Sequence, residues 1–166
     1  MEEKLFSDLE GLRIGMEMEV EGRDYYQQAS EKVDNPEHKA LFQLLKQEEM
    51  GHYEAFSKMY ATVRENKQVE SDEYLFDADS SRYLTVLVED HIFPKKQRAQ
   101  KAISEMKTTE DILRSAIEAE KNSILFYDEL AAQSKFEDAR KIFTALKAEE
   151  QTHVVKLTRL LVQLKG

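Results

Sequence analysis

Two short stretches, KQEEMGH at residues 46–52 and KAEEQTH at residues 147–153, each place a glutamate three positions before a histidine. On a helix, residues at i and i+3 share a face, so Glu49 with His52, and Glu150 with His153, can offer a carboxylate and an imidazole to one point. Oxygen and imidazole nitrogen together suit iron or manganese. The chain has no cysteine. Thiolate nucleophiles, cysteine metal sites and iron–sulfur clusters are therefore excluded, and any metal must be held by oxygen and nitrogen.

One Glu-x-x-His in a glutamate-rich chain needs no more explanation than a solvated helical face. Register changes that. Shifting the chain by 101 positions superimposes Glu17 on Glu118, Glu19 on Glu120, Tyr26 on Tyr127, Phe42 on Phe143 and Leu45 on Leu146. The same shift superimposes Lys46 on Lys147, Glu48 on Glu149, Glu49 on Glu150 and His52 on His153. No gap is needed, which is the signature of an internal repeat.

The elements that must position these residues are helices. Of 166 residues only five are glycine and two proline, while strong helix formers are abundant. Ser7 to Glu10 reads as a capping box opening a long helix, which ends at Asp34-Asn35-Pro36. Asn35 and Pro36 suit the cap and first position of a second helix, with Leu41, Leu44, Leu45, Phe56 and Met59 toward the core, fading near residues 64–67. Residues 67–81 read as a connection, followed by one short helix from Ser80 or Ser81 that Pro94 ends or bends. A third long helix starts at Thr108 and runs to about Gln133. Ser134 to Glu137 reads as another capping box before the last helix. The expected fold is all-α: one domain, a four-helix bundle of two duplicated hairpins joined by a long crossover containing a short helix.

Geometry then brings the repeated residues together. Glu19 and Glu49 lie on either side of the first turn at roughly equal distances, about 22 Å along their helices at 1.5 Å per residue. Glu120 and Glu150 bracket the second turn in the same way. Packing the hairpins face to face converges four carboxylates and two imidazoles inside the bundle. Four buried carboxylates without a cation would cost several kcal/mol each or force protonation, and a metal is the simplest compensation.

A glutamate from each of two helices and Glu-x-x-His from each of the others is the di-iron carboxylate pattern. With EMEVEGRDYY and EAEKNSILFY in its first and third long helices, and EEMGH and EEQTH in its second and fourth, the chain resembles the rubrerythrin branch of the ferritin-like superfamily. The resemblance implies Glu19 and Glu120 as terminal carboxylates, Glu49 and Glu150 as bridging ones, and His52 and His153 as nitrogen ligands to two Fe ions, with Mn or Zn as substitutes. It also implies Tyr26 and Tyr127 as hydroxyls bonded to ligand glutamates, although amphipathic core aromatics explain them equally well. The expected function is reduction of peroxide or dioxygen, with ferroxidase or iron storage as the alternative and a metal-free helical scaffold as a third.

Two departures from the family pattern bear on that expectation. Rubrerythrins proper carry a rubredoxin domain with four cysteines, which this sequence lacks, so a separate electron donor protein is expected. They also place a further glutamate three residues after the third-helix ligand, where this chain has Ser123, with Gly22 as its repeat mate.

Other features fall outside the expected site. Glu17, Glu118, Glu48 and Glu149 lie about 100° or 200° around their helices from the ligands, so solvated faces or salt bridges are expected of them. His91 is expected to be a capping or surface histidine, with a reach toward the site as the alternative, and His38 to be exposed. The net charge of −9 disfavours nucleic acid and anionic membranes. No signal-like or membrane-spanning stretch is visible, so a cytoplasmic homodimer is expected. Glycine-rich phosphate loops and a Ser-His-Asp ordering are absent from the sequence.

Overall fold

The computed structural model describes residues 4–91 and 96–166. Within them lie six α-helices and no strand: α1 Asp8–Lys32, α2 Pro36–Arg64, α3 Ala78–His91, α4 Lys96–Glu105, α5 Thr109–Gln133 and α6 Glu137–Lys165. Two single-turn 3-10 segments, Lys67–Glu70 and Asp72–Tyr74, follow α2.

Two antiparallel hairpins, α1–α2 and α5–α6, form the bundle; they meet along an α2–α6 seam, with α1 also touching α5. The crossover packs α4 on α1 and α3 on α5. It therefore holds two helices where the sequence pattern predicts one. The helix α4, KQRAQKAISE, is almost wholly polar, and Ala99 and Ile103 at i and i+4 supply its buried anchors. So narrow a stripe is a weak periodic signal. Pro94, the expected terminator, lies outside the described residues.

Helix starts follow capping chemistry in most places. Ser7 Oγ accepts from the Glu10 amide, but the Glu10 carboxylate turns away to Arg13 and Lys4, so only half of the expected box forms. Asn35 Oδ1 accepts from the amides of Glu37 and His38, with Pro36 in the first turn. Thr108 and Asp111 form a complete reciprocal box.

The α5–α6 turn departs from expectation. The cap of α6 is Phe136, which makes no side-chain cap bond, and Ser134 Oγ donates to the Phe136 carbonyl. The free amides of Lys135 and Phe136 donate instead to Asp8 Oδ2, each at 2.8 Å. A carboxylate at the start of α1 thus ties down the opposite hairpin's turn. A local motif could not show this, because the acceptor is remote in sequence.

The core runs the length of the bundle and includes Leu12, Phe42, Leu45, Phe56, Phe126 and Phe143. Leu44 is 43% exposed rather than buried, and His38 is half-buried rather than exposed. Gly15 lets α2 approach closely, since a Cβ there would lie 3.1 Å from the Phe56 ring. Phe56 in turn packs against Tyr127, with ring centroids 5.2 Å apart.

Candidate metal centre

Each long helix delivers its residues to one level of the bundle. Glu19 comes from α1, Glu49 and His52 from α2, Glu120 from α5, and Glu150 and His153 from α6. All six are at most 3% exposed. They form two overlapping groups, Glu19, Glu49, His52 and Glu150, and Glu49, Glu120, Glu150 and His153, each offering ligand atoms within 4.8 Å of one another. Glu49 and Glu150 belong to both groups.

The atoms facing inward are chemically alike. His52 Nδ1 lies 3.0 Å from Glu150 Oε1 and 3.4 Å from Glu19 Oε2. His153 Nδ1 lies 2.9 Å from Glu150 Oε2, 3.1 Å from Glu49 Oε1 and 3.2 Å from Glu120 Oε1. The two imidazoles stack nearly parallel, 14° apart with centroids at 5.4 Å.

Tyrosines each hold one oxygen of a glutamate. Tyr26 OH donates to Glu120 Oε1 at 2.5 Å, and Tyr127 OH donates to Glu19 Oε1 at 2.6 Å. Each tyrosine therefore serves the glutamate of the other hairpin, a crossing that the repeat register does not disclose. The remaining oxygens, Glu19 Oε2 and Glu120 Oε2, together with Glu49 Oε1 and Glu150 Oε2, are buried without a hydrogen-bond partner. Orphaned buried carboxylate oxygens are costly, and a cation among them would satisfy all four. The donor set thus fits hard or borderline cations such as iron or manganese.

Proton affinities follow from this crowding. Burial raises the carboxyls of Glu49 and Glu150 well above the usual range, and the surrounding carboxylates add to it. Burial alone would depress the imidazoles, but Glu150 and Glu19 push His52 up to about 11. Glu120 and Glu150 likewise push His153 up to about 10. Burial raises both tyrosine hydroxyls well above their ordinary value, and Glu120 and Glu19 add to the effect at Tyr26 and Tyr127 respectively. Those hydroxyls stay protonated as donors.

Two further residues reach the site that helical geometry assigns to salt bridges or solvent. His52 Nε2 lies 2.5 Å from Glu149 Oε2, and His153 Nε2 lies 2.8 Å from Glu48 Oε2. Glu48 does carry the expected salt bridge, to Lys156 at 3.0 Å. The imidazole spans the missing distance: a position about 100° around α2 from Glu49 faces α6 across the seam, where the outer ring edge of His153 emerges. Register was the available signal, since Glu48 and Glu149 repeat as faithfully as the ligands. Glu17 and Glu118 remain exposed, as expected. Ser123 is buried with its hydroxyl donating to the Ala119 carbonyl, so it offers no carboxylate. The side chain of His91 lies outside the described residues.

Comparison with known proteins agrees with this geometry. A search of curated proteins gives no match. A structure from Thermotoga maritima, described as a candidate ferritin-like diiron-carboxylate protein, is 25% identical with a TM-score of 0.73, covering 96% of this chain and 97% of that one. A hypothetical protein from Pyrococcus furiosus is 22% identical with a TM-score of 0.69, covering 96% and 90%. Part of a two-domain protein from Anabaena variabilis, which contains DJ-1/ThiJ/PfpI-like and ferritin-like domains, has the same fold, at 18% identity and a TM-score of 0.66 over 94% of this chain and 39% of that one. The family model for rubrerythrin matches residues 10–81 and 74–161. With nearly the whole bundle matched and a buried Glu/His cluster at its centre, the chain belongs to the rubrerythrin family.

Proposed function

We propose that the cluster holds two iron ions and that the protein is an oxidoreductase acting on peroxide or dioxygen. In this reading Glu19, Glu49, Glu120, Glu150, His52 and His153 would hold the two ions, with Glu49 and Glu150 common to both groups. The observation that carries it is the set of four buried carboxylate oxygens that make no hydrogen bond and crowd together around two imidazole nitrogens. When bound, two ferrous ions supply the electron pair that such a reduction needs.

The chain's own residues set the conditions. Four carboxylates balance the charge of two divalent ions. Tyr26 and Tyr127 fix the carboxylates of Glu120 and Glu19 by donating to one oxygen of each, and the second oxygen of each makes no hydrogen bond. Phe42 stacks on Tyr26 and Phe56 packs against Tyr127, so the two hydroxyl donors are held by fully buried rings.

A second reading, iron oxidation as part of iron handling, is favoured by Ser123. It stands where the family's additional glutamate would be, so this site has one carboxylate fewer. Stopped-flow oxidation of the anaerobically prepared ferrous protein separates the two. Faster reaction with peroxide supports a peroxidase, and faster reaction with dioxygen supports a ferroxidase. Absence of reaction with either would contradict both and leave metal binding alone. A separate electron donor protein and a homodimeric state belong to the same proposal. Among the described residues no helix is long and apolar enough to cross a membrane.

A further inference from the structure

The outward edges of the two imidazoles are held differently, although the sequence repeat makes their surroundings nominally equal. Each is approached by a carboxylate from the opposite hairpin. Glu149 of α6 takes His52 of α2, and Glu48 of α2 takes His153 of α6. These reciprocal straps close the α2–α6 seam directly over the metal-facing cluster.

One strap is compromised. Lys156 Nζ lies 3.0 Å from Glu48 Oε1 and 3.3 Å from Glu48 Oε2, so both oxygens of Glu48 are shared with an ammonium. The repeat mate of Lys156 is Ala55, which has no charge to offer Glu149. Among the described residues, no Lys or Arg forms an ion pair with Glu149. The geometry records the difference. His52 Nε2 makes a short hydrogen bond at 2.5 Å to Glu149, whereas His153 Nε2 has only an ion-pair contact, 2.8 Å from Glu48 Oε2 and off hydrogen-bond alignment.

We infer that Glu149 and Glu48 are positioning residues for the imidazole ligands, and that Lys156, by drawing Glu48 away from His153, makes the two metal positions unequal, with the His52 position filling first. The physical link is the outer hydrogen bond of a metal-binding imidazole. Its acceptor fixes the ring and its tautomer and raises the basicity of the nitrogen that faces the metal, and loss of such a partner typically weakens metal binding about 10- to 100-fold. An acceptor neutralised by an ammonium polarises the N–H less. His52, with a dedicated carboxylate, is the stronger donor. His153, with a shared one, is the weaker.

This inference rests on the metal-centre reading above, and the test separates the two. Metal-free protein is titrated anaerobically with Co(II) alone, followed by calorimetry and by the paramagnetically shifted imidazole N–H resonances of protein carrying 15N-histidine. The wild type is expected to bind in two steps, with His52 responding first. Lys156→Ala frees Glu48 and should tighten the second step about tenfold, with the first nearly unchanged and the His153 N–H resonance moved. Glu149→Gln should weaken the first step at least tenfold and bring the His153 response forward. Lys147→Ala removes the same charge from the same helix, where it pairs with Asp128, and should leave the gap between steps as in wild type.

If Lys156→Ala and Lys147→Ala shift both steps alike, the effect is bulk charge and the inference is overturned while the metal centre stands. Simultaneous response of both histidines in the wild type would overturn it as well. Failure of every variant and of the wild type to bind Co(II) would overturn the metal centre and this inference together.

Discussion

Glu49 and Glu150 sit where metal binding and proton binding compete. Burial and neighbouring carboxylates raise both, and the carboxylates hold His52 and His153 up to about 11 and about 10. Near neutral pH the metal-free site therefore carries a proton on each imidazole, and Glu49 and Glu150 hold protons more tightly than ordinary carboxyls do. In the proposed two-metal site the cations would displace them, so loading should release at least the two imidazole protons per chain and apparent affinity should fall as pH falls. Calorimetry in two buffers of different ionisation enthalpy counts those protons. Loading without proton release would contradict the protonation pattern. The sign for stability is set by the raised imidazoles. Their contribution to the metal-free fold is fully present below about 6.5 and is lost as pH rises toward about 10 to 11. Metal-free protein should thus lose thermal stability through that window, and the stabilisation conferred by metal should grow. At the same scale, Tyr26→Phe and Tyr127→Phe remove the donors to Glu120 and Glu19 and should each weaken metal binding about 10- to 100-fold, read by competition with a chelator. Binding unchanged in both variants would return the tyrosines to simple core packing. The six ligand candidates were legible because repeat register and helical spacing both point at them. The partners of the tyrosines were not, because a repeat matches each residue to its mate and is silent about which mate it touches.

Between elements, one device ties the two hairpins together and a second sets the approach of α1 to α2. Asp8 is buried at the start of α1 and accepts from two amides in the α5–α6 turn. Asp8→Ala would strand both amides and should cost about 2–4 kcal/mol, whereas Asp8→Asn, which keeps an acceptor, should cost less. Thermal or urea unfolding of the metal-free protein measures the difference, and equal costs would show that the acceptor is not what matters. Gly15 is the second device. Gly15→Ala must push Phe56 by a few tenths of an ångström, and Phe56 leans on Tyr127, so about 1–3 kcal/mol of destabilisation is expected together with weaker metal binding. Helix boundaries were readable wherever caps are local, as at Ser7, Asn35 and Thr108. They were misread at Ser134 because the turn's amides are satisfied from the other end of the chain. The polar helix α4 escaped notice because only Ala99 and Ile103 mark its buried side.

At the scale of the molecule, the fold is a duplicated hairpin closed on itself so that each half completes the other. Tyr26 serves Glu120, Tyr127 serves Glu19, Glu48 approaches His153 and Glu149 binds His52. Neither hairpin alone assembles either ligand group, since Glu49 and Glu150 are needed in both. Stability and metal binding should therefore be coupled: a cation that binds only the closed bundle raises its unfolding midpoint in proportion to the logarithm of free metal. The central claim is that the buried cluster is a two-metal site. Metal analysis of protein reconstituted anaerobically with ferrous iron and freed of excess tests it most directly. The account predicts about two irons per chain in the wild type, and a large loss when Glu49 and Glu150 are both replaced by alanine in a variant whose helical circular dichroism is retained. A wild-type protein that remains folded yet retains no iron would contradict it.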